Sequence, residues 1–361
     1  MQNLPLVAVN LLHRVGRWCH QCGRRFYCQR ALGYRVAMTK KIVAGRCVSI
    51  AVALVLANTV ACRAADFPEW AYPVATPDYK PVPDDGLLRR VPGSVAGYTV
   101  TDSRNLFAAP VWHPGDHPTL PDIVAKGRKP VVQACGVCHR ADGRGGPENA
   151  NIAGLPAAYI IQQLADYKSG KRGTARPKRL PQALMISLSR QVTDEDVQEA
   201  ARYFSALKPR ANIRVVEAKT IPQPFVAGWV WADRKNGGTE PIGRRIVEVP
   251  EDLEHFELRD SRATFIAYVP PGSIKKGEAL VAGTVPGKAP ACATCHGLDL
   301  RGLDSTPPIV GRSPSYMIRQ LYELQSGIRD GQNAAQMKLT VEKLDLDDMI
   351  AIAAYLATRE P

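Results

Sequence analysis

With 361 residues, 45% hydrophobic and 22% charged, the chain is long enough for two modest domains plus further segments, and 29 Gly and 29 Pro against 7% aromatic residues argue against a large β core. The formal charge of +13 invites a nucleic-acid reading, yet residues 1–65 hold ten Lys and Arg and no acid, which leaves +3 for residues 66–361. The basic character belongs to the leading segment, and nucleic acid is not an expected partner.

Residues 1–37 contain Cys19-His20-Gln21-Cys22 and Cys28, a weak metal pattern. A secretory signal follows at once, so these residues are expected to be an extension upstream of a true start at Met38. Residues 38–65 form that signal: Lys40, Lys41 and Arg46, an apolar run from Cys47 to Cys62, and small residues for cleavage near Ala64 and Ala65. The run is shorter than the about twenty residues of a membrane span. A cleaved signal and a periplasmic destination are therefore expected, with an uncleaved anchor as the alternative; a lipoprotein at Cys62 is opposed by Thr59. Residues 66–118 are Pro-rich and read as an extended N-terminal strap. Within it, His113 and His117 read as part of a turn-rich surface segment rather than as ligands.

The rest is a tandem repeat separated by an insert. Gly154, Tyr159, Gln163, Leu164, Ser169, Gly170 and Arg172 match Gly311, Tyr316, Gln320, Leu321, Ser326, Gly327 and Arg329 without a gap. Each copy is expected to open with a short helix, over Leu120–Arg128 and Ser273–Leu280. Each closes with a capped one, Thr193-Asp194-Glu195-Asp196 and Asp345-Leu346-Asp347-Asp348 leading into apolar stripes. The domains so delimited are 119–208 and 271–361, with 209–270 between them as short strands or irregular linker. Lys168, Lys171, Arg172, Lys178 and Arg179 read as an exposed basic face, and His255 as solvated.

Of nine cysteines five precede residue 66; the other four lie in Cys135-Gly136-Val137-Cys138-His139 and Cys292-Ala293-Thr294-Cys295-His296, one motif per copy. Two thiols three positions apart followed directly by His suit covalent haem attachment, with both thioethers and the imidazole on one helical turn. A thioredoxin-type pair would need a βαβ setting, and one zinc on all four cysteines would need pairs far beyond the usual spacing. Met185 and Met337 each lie seven residues before the residue that precedes the closing cap, Val192 and Leu344, so they hold the same place in the repeat. That register marks them as axial thioethers, whereas Met317 and Met349 read as core. His/Met ligation leaves no open iron position and suits electron transfer.

The CxxCH motifs, the Gly-Tyr-Gln-Leu helices, Met185 and Met337 and the duplication together resemble class I cytochromes c, and more narrowly the tandem diheme cytochromes of the bacterial periplasm (the "c-four" type). The resemblance covers about residues 119–208 and 271–358. It implies a mainly α fold, two class I cytochrome c domains in tandem with the irregular strap and the insert added. It implies two covalent haem c groups, with Cys135, Cys138, His139 and Met185 at one iron and Cys292, Cys295, His296 and Met337 at the other. It also implies single-electron transfer between a dehydrogenase or quinol-oxidising complex and a terminal oxidase, no catalytic residue, and peripheral membrane association left open. The alternatives are a cytochrome subunit of a periplasmic dehydrogenase and, further off, a diheme peroxidase. In the family a proline carbonyl accepts the proximal imidazole's hydrogen bond; copy two keeps it at Pro307, while copy one has Ala150, a difference expected to separate the two potentials.

Overall fold

A computed structural model describes residues 66–361, so the expected extension and signal at 1–37 and 38–65 lie outside the described residues. In chain order, the strap carries α1 (Val100–Arg104), and the first copy carries α2 (Asp122–Ala125), α3 (Cys135–His139), α4 (Ala157–Lys168), α5 (Leu180–Leu188) and α6 (Asp194–Ala206). The insert carries β1 (Ile213–Glu217), β2 (Thr220–Pro222), β3 (Pro224–Ala227), β4 (Val230–Asp233), β5 (Thr239–Pro241), β6 (Val247–Pro250), α7 (Leu253–Glu257) and β7 (Phe265–Val269). The second copy carries α8 (Ser273–Val281), α9 (Ala293–His296), α10 (Pro314–Gln325), α11 (Ala334–Val341) and α12 (Leu346–Ala357). Among the described residues no helix is long and apolar enough to cross a membrane.

The closing helices start where the sequence places them. Thr193 accepts from the Asp196 amide while Asp196 accepts from the Thr193 amide at 2.9 Å, and Asp345 and Asp348 repeat the exchange at the head of α12. Acids in the first turn also meet the positive end of the helix dipole. Their faces differ. α6 buries one stripe, Ala200, Ala201, Tyr203 and Phe204, but α12 is buried nearly all round, because β1 and β7 of the insert pack against it as well as α8 and α10.

The opening helices also differ. In copy one the helix expected over Leu120–Arg128 is a single turn, stopped by Gly127 at φ +63°, where the chain folds back so tightly that a Cβ would lie 2.2 Å from the Val132 carbonyl oxygen. In copy two α8 crosses α12 in close contact: a Cβ on Gly277 would lie 2.0 Å from the Ala351 carbonyl oxygen. The buried Asp348 holds Lys276 of α8 at 2.8 Å and Lys288 at 2.5 Å, fixing that crossing.

The insert is built of strands. β1 runs parallel to β7, which pairs antiparallel with β6, giving the order β1-β7-β6; β2–β5 and β3–β4 form two antiparallel ribbons. Gly228, at φ +60°, turns β3 into β4. Glu248 on β6 reaches the N-terminus of α10, accepting from Ser313 Oγ at 2.7 Å and the Ser315 amide at 3.1 Å; burial holds its carboxyl above the usual range. The strap is pinned at both ends. Tyr72 donates to Glu323 (3.1 Å) and Arg319 to the Ala71 carbonyl (2.9 Å), while Trp112 donates to the Leu258 carbonyl (2.8 Å). His113 is therefore not on a surface turn as expected: it is buried, its Nε2 2.9 Å from Asp260 Oδ1, because the insert closes over the strap.

Candidate functional site

The two CxxCH segments adopt matching geometry. Each forms a single helical turn, α3 and α9, with Cys292 serving as the N-cap of α9. His139 Nδ1 donates to the Ala150 carbonyl at 2.8 Å, and His296 Nδ1 donates to the Pro307 carbonyl at 2.8 Å. A carbonyl only accepts, so the proton sits on Nδ1 and Nε2 presents its lone pair. Burial moves both imidazoles below the ordinary histidine range, which favours that neutral form. The loop beyond closes alike in both, Gly145 donating to the His139 carbonyl and Gly302 to that of His296, each at 2.8 Å. Replacing the proline by Ala150 thus leaves the imidazole's hydrogen bond unchanged in length.

Among the described residues the four cysteines form no disulfide. Burial pushes Cys135 up to about 12 and Cys292 to about 11, and raises Cys138 as well, which disfavours thiolate metal ligation by these side chains. Among the described residues no three or more His, Cys, Asp or Glu side chains converge on a metal position, so the two motifs do not join in one four-cysteine site. Paired thiols with an adjacent, carbonyl-oriented neutral imidazole are the donor set a covalently bound haem requires. Met185 is half-buried on α5 and Met337 half-buried on α11, where it packs against the core of copy two. Met317 and Met349 are core residues.

A polar seam joins the copies, and the sequence reading missed it. Arg172 donates to Gln163, Gln320 and Tyr316, each at 2.9 Å; Arg329 donates to Gln320 (3.1 Å), Gln163 (2.9 Å) and Tyr159 (2.7 Å). The backbones meet as well, Gly173 donating to Ile328 and Asp330 to Lys171. Each half of this seam is the other's image under the repeat. The matched Tyr, Gln and Arg positions were the signal: identical polar residues in two copies mark a surface that pairs with its own duplicate. Burial opposes ionisation of Tyr159, but the charges of Arg329 and Arg172 outweigh it and hold its phenol below the ordinary range. Of the expected basic face only Lys168, Lys171 and Lys178 are exposed. Arg172 lies in the seam, and Arg179 is fully buried, donating to the Trp229 carbonyl at 2.8 Å and to Gln182 at 2.7 Å.

Comparison with known proteins agrees with this geometry. The cytochrome c family model matches residues 124–208 and again 274–360. Cytochrome c-554(548) of Halomonas halodenitrificans is 35% identical over 74 residues, 20% of this chain and 89% of that protein. The chain belongs to the cytochrome c family. Longer matches span both copies: 25% identity over 233 residues with the thiosulfate dehydrogenase electron acceptor of Thiomonas intermedia, covering 64% of this chain and 80% of that protein. Cytochrome c4 of Pseudomonas aeruginosa is 23% identical over 227 residues, covering 62% and 82%. The solved thiosulfate dehydrogenase of Marichromatium purpuratum superposes at TM-score 0.46 with 26% identity; the match covers 66% of this chain and 39% of that one. This cytochrome is a tandem diheme class I protein, mainly α with strands between its domains, an electron-transfer protein with two covalent haem c groups.

Proposed function

We propose that Cys135 and Cys138 would hold one haem with His139 and Met185 as its iron ligands, and Cys292 and Cys295 the other with His296 and Met337. The bound haems supply the redox couple. The chain's own work is to fix each imidazole through the Ala150 and Pro307 carbonyls and hold the two sites together through the Arg172–Arg329 seam. The observation that carries this reading is the equal 2.8 Å bond from each CxxCH imidazole to the carbonyl eleven residues on, which gives both copies one tautomer and one presented nitrogen. With Met185 and Met337 as ligands the irons would keep no open position for substrate, which favours a carrier over a peroxidase.

The cytochrome works after export to the periplasm, where its donor is a dehydrogenase or quinol-oxidising complex and its acceptor a terminal oxidase. Similarity to an electron acceptor of thiosulfate dehydrogenase supports a dehydrogenase as the donor. Intact mass tests the attachment. The purified chain should carry two haems, Cys135→Ala with Cys138→Ala only one, and a double variant that kept both would refute the assignment.

A further inference from the structure

The copies differ at the residue after the CxxCH imidazole. In copy two it is Gly297, at φ +83° and ψ 157°; in copy one it is Arg140, at φ +66° and ψ 161°. This backbone region is essentially reserved to glycine, and any other residue persists there only where its surroundings over-determine it. Arg140 is also buried, at 2% exposure. Its Nη2 donates to the Phe256 carbonyl at 3.1 Å and its guanidinium lies 5.3 Å from the centre of the Phe256 ring, both on α7 of the insert. Its Nε and Nη1 are buried with no partner.

The surroundings do not neutralise it. Arg259 adds a second positive charge near Arg140, with Glu148 as the acid that offsets them; Asp142, the other acid nearby, is taken by Arg144 at 2.5 Å. The equivalent loop of copy two is open, with Asp299, Arg301 and Asp304 exposed and no buried cation. Copy one therefore combines backbone strain and an underpaired buried charge in one residue beside the imidazole, where glycine meets every steric demand. A buried cation lowers the energy of the more electron-rich state of a redox centre next to it, and low-dielectric surroundings strengthen the effect.

We infer that Arg140 sets the potential of the copy-one site above that of copy two, so that a single electron held by the cytochrome rests in copy one. This inference builds on the haem sites proposed above. The exchange it biases is one electron leaving the copy-two site and arriving at copy one, with no bond broken and no proton moved. The insert is then a tuning element: α7 buries the guanidinium and supplies the ring and carbonyl that hold it.

Holoprotein is first checked for two haems per chain, so that failure of the haem assignment shows before any potential is measured. Potentiometric titration followed by absorbance should then resolve two one-electron waves. Arg140→Gly gives copy one the residue of copy two and removes the strain. It should lower the upper wave by about tenfold in equilibrium constant, about 59 mV for one electron, leave the lower wave in place and keep or raise the thermal midpoint. Arg140→Gln, which keeps the strain without the charge, should lower the same wave. Superimposed waves in the unaltered protein, an upper wave unmoved by Arg140→Gly, or a shift confined to the lower wave would each overturn the inference; a changed thermal midpoint with fixed potentials would leave Arg140 a structural residue only.

Discussion

The seam between the copies makes a specific energetic demand. Arg172 is 5% exposed, donates three hydrogen bonds at 2.9 Å and lies 4.5 Å from the centre of the Tyr167 ring. Charged hydrogen bonds contribute about 1.5–3 kcal/mol each, and a desolvated cation–π contact about 2. Against them stands the cost of burying the guanidinium, several kcal/mol, which Arg172→Met removes while filling most of the volume. Gln163 and Gln320 also keep Arg329 as donor, so only the Tyr316 hydroxyl loses its partner. The net loss should be about 2–4 kcal/mol. Arg329→Met should cost somewhat less, because its bonds are the image of the first set while Arg329 is only half-buried and lacks the ring contact of Arg172. The double variant strands both glutamine oxygens, and each stranded buried acceptor costs about 1–3 kcal/mol more. The double loss should thus exceed the sum of the single ones. Guanidinium unfolding of the three holoprotein variants, read by circular dichroism, measures this directly. Additivity within about 0.5 kcal/mol, the behaviour of independent sites, would refute the shared network.

Other expectations are separable from that one. Met185→Ala should open one iron to carbon monoxide and Met337→Ala the other, each lowering only its own redox wave; carbon monoxide binding that is unchanged in either variant would remove that methionine as a ligand. Gly277→Val should destabilise the holoprotein by about 1–3 kcal/mol or more through overpacking at the α8–α12 crossing, read as a lower thermal midpoint. Asp116 is held well below the usual carboxylate range, chiefly by its hydrogen bonds from Arg262 and then by Arg210, and so ties strap to insert. Its folded pKa is depressed, so its contribution is present above the unfolded value of 3.8 and is lost as pH falls from there towards the folded value. Asp116→Asn should lower stability at neutral pH, where that contribution is fully present, and flatten the profile below pH 3.8; an identical acid limb in both proteins would count against the tie.

Much of the site was legible because it is local. CxxCH fixes thiols and imidazole on one turn, and the Thr193 and Asp345 caps follow from side chains three residues apart. What escaped is non-local. Arg172 and Arg179 read as solvated because a basic side chain usually is; their burial depends on Gln320 and Trp229, far away in the chain. His113 sits among Pro, Gly and Asp, turn residues by composition, yet Asp260 from the insert buries it. The insert itself resisted reading since its sheet pairs β1 with β7 across the intervening ribbons, and parallel pairing at that separation leaves no hairpin signature. The imidazole bond survives the loss of the proline at Ala150, because a backbone carbonyl serves equally from either residue. The asymmetry lies one residue from the ligand, at Arg140, which a reading focused on shared motif positions passes over.

The central claim, two closed His/Met sites in one duplicated chain, is tested most directly by absorbance spectra of the purified holoprotein, oxidised and then reduced under carbon monoxide. The expected result is a low-spin spectrum with the weak methionine–iron band at its red edge, two haems per chain, and no carbon monoxide adduct. A high-spin component, or carbon monoxide bound at either iron of the unaltered protein, would contradict it.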